Sequence, residues 1–422
     1  MLNTFFPVLS LMARILLAFS VTFLVPGIWA WFEDHHDLQW IWLAGFGLTA
    51  ASGLLLAAIT QRHRRELLAK DGFLLVNMVW LVLPAYSALP LMFLVPDISW
   101  FKAYFEAMSA LTATGATALS GLEHLPVSVN IWRCFLQLIG GLGIMLLVVA
   151  VLPMLGLGGF SSYDAIFAHF NSPLIEGVAI VFMTLAGISF LRYFVVLRTL
   201  SLKPVTNDHE IRTYFGVLLL STLLLTGLLM ANGVYSDWPQ ALRASAFHVV
   251  SLATTTGYAA TDYALWPAFA PVMLMFLGCF VSCAGSTGGG IKMVRMILLV
   301  KQARRELVRI IHPRVINPVT LGGGIMPMSV MTAVLGFMLI YGGATMGLSM
   351  LLLLSGMDIV TAFSAVIATV NNIGPGLGEV GPSGNFGGLN PFQLSVLSFA
   401  MLLGRLELLS VLVLFSSHFW RK

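Results

Sequence analysis

The stretch SLATTTGYAATD, residues 251–262, places three threonines and a glycine between two apolar runs. Two other stretches have a similar character, LTATGAT at 111–117 and TVNNIGPGLG at 369–378. Threonine supplies both hydroxyl and carbonyl oxygens, and glycine permits backbone conformations that aim carbonyl groups at a common point. A dehydrated alkali cation needs several such oxygens in place of its water. These stretches therefore predict loops that bind a cation.

The composition around these stretches indicates a membrane protein that crosses the bilayer several times. Of the 422 residues, 58% are hydrophobic and only 9% are charged, and the mean hydropathy is +0.92. A soluble protein of this length needs more charge to cover its surface. A membrane span needs about 20 apolar residues. Candidate spans lie at 9–32, 39–60, 73–95, 131–155, 173–199, 211–232, 265–284, 329–354 and 392–417.

The basic residues cluster in short segments beside these spans, which is typical of segments that stay in the cytoplasm. They comprise Arg62, Arg64, Arg65, Lys70, Arg198, Lys203, Arg212, Lys292, Arg295, Lys301, Arg304, Arg305, Arg309 and Arg314. The acidic segment 31–37 and the cation-binding stretches then fall on the outer face. Because orientation signals account for the pI of about 9.0, nucleic acid is not expected as a partner.

A shorter segment of mixed composition leads into each cation-binding stretch. These segments, 101–115, 238–257 and 358–374, are too short to cross the bilayer and predict re-entrant helices. The order of long span, short helix, oxygen-rich stretch and long span recurs, which indicates an internal repeat. Since non-helical backbone at membrane depth must be buried in protein or line water, we expect the loops to converge on one pore. The negative C-terminal end of each short helix then favours a cation.

Two other interpretations of the same residues stay open at this point. Small and hydroxyl residues also allow helices to pack closely without binding anything. Alternatively, the loops of a membrane enzyme could hold a lipid-linked or peptide substrate. An enzyme needs a catalytic acid, base or metal ligand at membrane depth, and only Arg405 and Glu407 are available. The cysteines, Cys134, Cys279 and Cys283, show no metal or redox spacing, so an enzyme is not expected.

Several longer stretches resemble the TrkH-type subunit of the Trk/Ktr/HKT superfamily of cation transporters. They are AMSALTATGAT, WRCFLQLIGGLGIMLLVVAVLPMLG, SLATTTGYAATD, CAGSTGGGIKMVR, ATVNNIGPGLG and MLLGRLELLSVLVLF, and the similarity covers nearly the whole chain. The resemblance implies four channel-like repeats around one pore and potassium uptake across a bacterial cytoplasmic membrane. Glycine at each filter position that can be placed favours potassium, although a sodium-preferring or poorly selective relative stays an alternative.

The resemblance also implies a potassium-binding filter and a gate below it. The expected filter residues are Thr112, Ala113, Thr114, Gly115, Leu157, Gly158, Gly159, Thr255, Thr256, Gly257, Tyr258, Asn372, Ile373 and Gly374. The expected gate is an intramembrane loop with an arginine in contact with it: Gly285, Ser286, Thr287, Gly288, Gly289, Gly290 and Arg405. Three consecutive glycines in this loop argue against a continuous helix, since each costs about 1 kcal/mol relative to alanine. Arg405 is expected to form an electrostatic barrier to cations.

The chain divides into five parts, the third of which is incomplete. They are an additional transmembrane hairpin at 1–70, repeat 1 at 71–156, a partial repeat 2 at 157–205, repeat 3 at 206–315 and repeat 4 at 316–422. A span that ends inside at about 155 cannot supply a filter outside at 158 without another crossing. We therefore predict that an outer span and a short helix are missing between about 156 and 160.

Three further residues outside the filter invite a functional interpretation. Glu106 and Asp262 are candidates to attract cations to the pore mouth, although solvated or helix-capping roles explain them equally well. His248 is expected to be a packed helix residue. For partners, the basic helix 291–312 is a candidate docking site. By resemblance the partner is a cytosolic nucleotide-binding ring protein, and the subunit forms a homodimer.

Overall fold

The computed structural model describes residues 2–33, 36–61, 68–146 and 172–420. This part of the chain is almost entirely helical, which confirms the predicted all-α membrane architecture. Five of its helices are long and apolar enough to cross a membrane. Two further pairs of helices pass the same test as pairs, although each pair is sharply bent.

The first three helices of the described chain form a hairpin. They are α1 (Leu2–Ser20), α2 (Leu24–Phe32) and α3 (His36–Thr60). α1 and α3 pack along each other, and both contact the following helix. Aromatic rings fix this hairpin to the rest of the protein: the ring centroids of Phe23 and Trp132 are 4.6 Å apart, and those of Trp42 and Trp132 are 5.5 Å apart.

The remaining helices follow the predicted order of outer helix, pore helix and inner helix. Unit 1 consists of α4 (Ala69–Leu94), α5 (Trp100–Leu111) and α6 (Val127–Leu146). The part assigned to unit 2 consists of α7 (Pro173–Ala186), α8 (Phe190–Thr199) and α9 (Lys203–Thr206). Unit 3 consists of α10 (His209–Ala231), α11 (Trp238–Ala253), α12 (Phe269–Phe280) and α13 (Met293–Ile311). Unit 4 consists of α14 (Met328–Leu354), α15 (Ile359–Val370), α16 (Pro391–Arg405), α17 (Leu409–Leu412) and α18 (Ser417–Trp420).

Short elements complete the described part of the chain. The 3₁₀ turns are Val21–Phe23, Leu122–His124, Tyr263–Leu265, Gly378–Val380, Phe386–Gly388 and Val413–Phe415. A two-stranded antiparallel hairpin, β1 (Thr320–Leu321) and β2 (Gly324–Ile325), joins units 3 and 4 and was not anticipated. Gly322 and Gly323 both have positive φ, as a two-residue hairpin turn requires.

The packing of inner helices on pore helices arranges the units in a cycle. The inner helix α12 of unit 3 contacts the pore helix α15 of unit 4, and α16 of unit 4 contacts α5 of unit 1. In the same way α7 contacts α11, the pore helix of unit 3. α7 therefore occupies the position of the second inner helix. By the same pattern, α6 would pack on a pore helix of unit 2. The described ranges contain no such helix.

Two predicted continuous spans are wrong in detail because their helices are interrupted, and the predicted interruption after a third span is present. The span 173–199 bends by 89° between α7 and α8, and the span 392–417 bends by 108° after α16. In the span 265–284, α12 ends at Phe280 and helix resumes only at Met293. The first bend occurs where the Gly187 carbonyl bonds to another segment of the chain. The second occurs where Glu407 adopts a left-handed conformation with φ of 52°.

Candidate ion-conducting site

The three described filter loops share one backbone conformation. The residue two positions after each pore helix has a left-handed backbone, with φ of 53° at Ala113, 56° at Thr255 and 52° at Asn372. Two residues later a glycine has positive φ: 82° at Gly115, 78° at Gly257 and 106° at Gly374. Left-handed residues are uncommon outside glycine and asparagine. Their recurrence at equivalent positions shows that the predicted stretches are true structural repeats.

The way each pore helix ends produces this conformation. The backbone N–H groups of Thr114, Thr256 and Ile373 each donate to the carbonyl five residues earlier, over 2.9, 2.9 and 2.8 Å. A bond over five residues together with a left-handed residue is the Schellman type of helix ending. It uses a carbonyl that the helix leaves free and turns the chain sharply away from the helix axis. Local hydrogen bonding therefore positions the first residues of each filter.

The filter side chains follow two patterns. In unit 1 the hydroxyls of Thr112 and Thr114 are 2.7 Å apart, and in unit 3 those of Thr254 and Thr256 are 2.8 Å apart. Unit 4 has no such pair, because isoleucine occupies the second position. There the amide nitrogen of Asn372 donates to the Thr114 hydroxyl over 2.8 Å and to the Met401 carbonyl over 3.2 Å.

The loops of different units meet, as the pore hypothesis requires. A Cβ added at Gly257 would lie 1.9 Å from the Ile373 carbonyl oxygen, so units 3 and 4 touch backbone to backbone. A Cβ added at Gly374 would lie 2.9 Å from the Thr114 carbonyl oxygen. Any side chain at these two glycines would therefore collide with a neighbouring filter, in addition to straining its own backbone.

Residues 281–292 form the predicted non-helical loop, and it lies directly against the filters. The Gly289 N–H donates to the Thr255 hydroxyl over 3.0 Å. A Cβ at Gly289 would lie 2.1 Å from the Asn371 carbonyl oxygen, and one at Gly288 would lie 3.2 Å from the Thr255 hydroxyl oxygen. The loop thus contacts units 3 and 4 at the ends of their pore helices, where glycine is the residue that fits.

The loop is also bonded to the second unit. The Cys283 N–H donates to the Gly187 carbonyl over 3.0 Å, and the Phe190 N–H donates to the Gly285 carbonyl over 3.0 Å. The Thr287 hydroxyl donates to the Ala186 carbonyl over 3.3 Å. These bonds replace helical ones at the bend between α7 and α8. The bend between α7 and α8 in unit 2 therefore supplies hydrogen-bond partners for the non-helical loop of unit 3.

Arg405 lies at the end of α16, where its guanidinium reaches the same region. One terminal nitrogen donates to the Gly140 carbonyl over 2.7 Å and the other lies 3.4 Å from the Thr287 carbonyl. Within the described ranges no carboxylate lies at ion-pair distance from it, since Glu407 pairs with Arg295 over 2.8 Å. The predicted contact between Arg405 and the glycine loop is thus present, and it is made through the Thr287 carbonyl oxygen.

Charged and polar residues outside the filter have surroundings that agree only in part with the sequence predictions. Glu106 is fully buried and pairs with Arg133 over 2.8 Å, so it cannot attract cations from solution. Asp262 accepts a hydrogen bond from the Ala264 N–H over 3.0 Å and caps a 3₁₀ turn. Lys292, assigned above to a cytoplasmic segment, is buried, and its amine donates to the Gly288 carbonyl. His248 is a buried residue of α11, as expected.

Glu210 is a contributor to the loop that sequence reasoning missed. Its carboxylate accepts the N–H of Ala284 over 2.8 Å and that of Val294 over 3.1 Å. It therefore fixes both ends of the interruption to the start of α10. No local pattern marks this residue, because its two partners lie more than 70 positions further along the chain.

The expected ligands Leu157, Gly158 and Gly159 lie outside the described residues. In the part of the chain that is described, no group of three His, Cys, Asp or Glu side chains is placed to hold a metal ion. A cation at the described filter loops would meet backbone carbonyls, hydroxyls and amides. Such neutral oxygens suit a monovalent cation, which loses its water more readily than a divalent one.

Quasi-equivalent units, re-entrant pore helices and oxygen-rich loops together define a channel-like cation transporter of the membrane. The model of the TrkH family, described as a cation transport protein, matches residues 38–159 and 154–422. The chain therefore belongs to the TrkH family.

Similar proteins agree with this assignment over almost their full length. The Trk system potassium uptake protein TrkH of Escherichia coli K12 is 33% identical over 475 residues, covering 97% of this chain and 98% of its own. TrkH of Vibrio parahaemolyticus is 34% identical over 485 residues, covering 98% and 99%. The crystal structure of the potassium transporter TrkH from Vibrio parahaemolyticus matches with a TM-score of 0.92 at 34% identity. It covers 99% of this chain and 100% of that chain.

Proposed function

We propose that this chain is the potassium-translocating subunit of a Trk-type uptake system in a bacterial cytoplasmic membrane. The observation that carries the proposal is the contact between equivalent loops, each with a left-handed residue followed by a positive-φ glycine. The names of the relatives supply the ion, since they are potassium uptake proteins. Glycine at each of these three filter positions supports a preference for potassium over sodium.

In the proposed mechanism, a potassium ion exchanges its water for filter oxygens. The candidate ligands described are Thr112, Ala113, Thr114, Gly115, Thr255, Thr256, Gly257, Tyr258, Asn372, Ile373 and Gly374. Three pore helices end at these loops, and their C-terminal dipoles stabilise the cation. Because the ligands are neutral, the ion is held weakly enough to move on.

The glycine loop and Arg405 form the proposed gate. Residues 285–290 lie against the ends of two pore helices, and Lys292 and Arg405 place two positive charges beside them. A cation leaving the filter meets both this backbone and this charge. Opening then requires the loop to leave its bonds to Thr255 and to the bend of unit 2.

The second unit is proposed to be shortened relative to these relatives. The alignment to the Escherichia coli protein spans 475 residues although it covers only 97% of the 422 residues of this chain. The two matches to the family model meet at 154–159, where the sequence predicts a missing outer span and pore helix. We propose the division 71–156, 157–205, 206–315 and 316–422 for the four units. Leu157, Gly158 and Gly159 are the proposed remainder of the second filter.

Regulation is proposed to come from the cytoplasmic side. α13 continues past the gate loop and carries exposed basic residues, including Arg304 and Arg309. Such a helix suits a cytosolic ring protein that binds NAD or ATP, and movement of α13 would pull directly on residues 285–292. A homodimer is proposed for the subunit itself.

The decisive experiment is growth of a bacterium that lacks potassium uptake on limiting potassium. The chain is produced with and without the ring protein, and its amount in the membrane is measured. We expect growth to be restored when the partner is present and not by empty vector. A matched version receives, between residues 156 and 160, the corresponding segment of TrkH from Vibrio parahaemolyticus. Failure of both versions under both conditions would overturn the proposed function. Growth only with the lengthened version would show that the shortened second unit does not conduct.

A further inference from the structure

Each described filter loop is tied back to its own pore helix by a buried side chain. The tie is always made to the backbone N–H of the third residue after the filter glycine. In unit 1 the Ala118 N–H donates to the Glu106 carboxylate over 2.9 Å. In unit 3 the Ala260 N–H donates to the His248 ring over 3.3 Å, and in unit 4 the Leu377 N–H donates to the Ser364 hydroxyl over 2.8 Å.

The acceptors occupy nearly the same place on their helices although their chemistry differs. Glu106 and His248 each lie nine residues before the filter glycine of their unit, and Ser364 lies ten residues before its own. All three side chains are buried, with relative exposures of 0%, 0% and 5%. A sequence comparison of the units would not pair a carboxylate, an imidazole and a hydroxyl. Their common feature is an acceptor oxygen or nitrogen behind the filter.

The hydrogen bonds of His248 define its protonation. Nδ1 lies 2.8 Å from the Ala244 carbonyl and must donate to it, since a carbonyl oxygen only accepts. Nε2 faces the N–H groups of Ala260 and Thr261 at 3.3 and 3.4 Å, so it accepts from both. The Thr261 carbonyl at 3.2 Å from Nε2 is the one contact that this form leaves unmade. The neutral ring with its proton on Nδ1 satisfies most of these groups.

Glu106 makes the most extensive tie. Its carboxylate accepts the Thr117 hydroxyl over 3.0 Å as well as the Ala118 N–H, and it pairs with Arg133 of the inner helix. Arg133 in turn donates to the Asn130 amide oxygen over 3.1 Å. Removal of this carboxylate would take away the negative charge that faces the buried Arg133, a change that is strongly destabilising. His248 and Ser364 are therefore the better residues for an experiment.

We infer that Glu106, His248 and Ser364 are positioning residues that hold the outer ends of the filter loops at the radius that suits potassium. The inference rests on the proposed function, since it assigns a task within the same filter. None of the three reaches the ion path in this arrangement. Each instead binds a backbone N–H that lies a few residues after the filter carbonyls. Without the tie, the loop relaxes and fits the smaller sodium ion relatively better.

The test measures how potassium and sodium stabilise the purified full chain in lipid nanodiscs. An ion that binds only the folded protein raises the melting temperature in a concentration-dependent way. Potassium and sodium chloride are titrated separately at constant ionic strength, and the half-saturating concentration of each is determined. The variants are H248A, H248Q and S364A, with S245A as a control. Ser245 is a buried serine of α11 whose hydroxyl has no hydrogen-bond partner among the described residues.

We expect H248A to raise the half-saturating potassium concentration about tenfold, because a buried N–H loses its acceptor, with little change for sodium. H248Q should restore most of the potassium affinity, since its amide oxygen can accept from Ala260. S364A should act in the same direction, and S245A should match wild type. A structural role alone would lower the melting temperature at every ion concentration without changing the half-saturating values.

Unchanged potassium and sodium values in H248A and S364A would overturn the inference and leave the proposed function intact. If H248A does not fold, the half-saturating potassium and sodium concentrations of S364A are compared with those of the control S245A, and unchanged values overturn the inference. A wild-type chain that shows no stabilisation by potassium and does not restore potassium uptake would overturn both proposals.

Discussion

The third and fourth units build the same filter backbone from different side chains. Both have a left-handed residue two positions after the pore helix and a positive-φ glycine two positions later. Yet unit 3 carries Thr254, Thr255 and Thr256 where unit 4 carries Asn371, Asn372 and Ile373. The backbone of the filter is therefore set by how the helix ends, and the side chains are free to serve other contacts.

The left-handed position shows this division clearly. The hydroxyl of Thr255 accepts the Gly289 N–H, so it points to the glycine loop. The amide of Asn372 bonds to Thr114 in the first filter. One unit uses this position to hold the gate, and the other uses it to hold a neighbouring filter. The units are thus equivalent in conformation and distinct in task.

The largest effect is expected from replacing the glycine that both units need. In G257A a methyl group would lie 1.9 Å from the Ile373 carbonyl oxygen on a backbone with φ of 78°. Strain of this kind costs about 1–3 kcal/mol before the collision is counted, so potassium uptake should fall at least about tenfold. Uptake by whole cells, normalised to protein in the membrane, measures it. G216A is the control, because nothing lies within 4 Å of that added methyl; equal losses in both would contradict the geometry.

The second-largest effect is expected from removing the charge that unit 4 contributes to the gate. R405A loses the bonds to the Gly140 and Thr287 carbonyls and the positive charge beside the pathway. Basal cation flux in reconstituted vesicles, without the ring protein, should rise several-fold. R405K keeps the charge and should stay closer to wild type. A flux unchanged in R405A would rule out a role for this arginine in closure.

A pair of glycine substitutions separates the two uses of the left-handed position. N372G and T255G both keep a residue that adopts positive φ easily, and each removes one set of side-chain bonds. N372G should lower the free energy of unfolding by about 1–3 kcal/mol and reduce potassium uptake. T255G should raise basal flux, because the glycine loop loses its bond to the filter. Vesicle flux and thermal unfolding distinguish them, and identical behaviour of the two variants would contradict the comparison.

The hydroxyl pair of unit 3 should matter less. T254V removes the contact between the hydroxyls of Thr254 and Thr256 and should lower the free energy of unfolding by about 1 kcal/mol. Thermal unfolding in detergent measures the change. T345V removes a hydroxyl whose hydrogen bond among the described residues lies within its own helix, to the Tyr341 carbonyl, and serves as the control. A larger loss in T345V than in T254V would show that the pair adds nothing.

The smallest effect is expected at the first residues of the pore helices of units 4 and 3. Asp358 accepts the Thr361 N–H over 2.9 Å, and hydrogen bonding from Thr361 lowers the pKa of Asp358 below its usual value. Asp237 makes no such bond to the helix that it precedes. D358A should cost about 1 kcal/mol and D237A less. Because the folded pKa is the lower one, the contribution of Asp358 is present above pH ~4 and is lost as the pH falls through the folded pKa. D358N should remove this acid dependence while keeping the cap.

Much of the fold was predictable because the membrane restricts what a chain can do. Long apolar runs, the short helices between them and the glycines at 115, 257 and 374 predicted the units and their filters. The interruption after Phe280 was also predictable, since three successive glycines are poor helix formers. The two matches to the family model overlap at residues 154–159, close to the position where topology predicts a missing segment.

Apart from the contact of Arg405 with the glycine loop, the side-chain contacts between units were not predictable from the sequence. The bends at Gly187 and after Arg405 look like continuous apolar helix, because hydropathy does not record where a carbonyl finds its partner. Glu106 was interpreted as a surface charge, since nothing in its neighbourhood announces Arg133, 27 residues away.

The sequence alone thus determined that this chain is a repeated, re-entrant membrane protein with oxygen-rich loops, because periodic hydropathy and glycine positions act locally. Only the tertiary structure decided which loops touch, which charges are buried and what holds the glycine loop against the filter. Those features depend on hydrogen bonds and close contacts between residues far apart along the chain, and such pairs leave no local pattern.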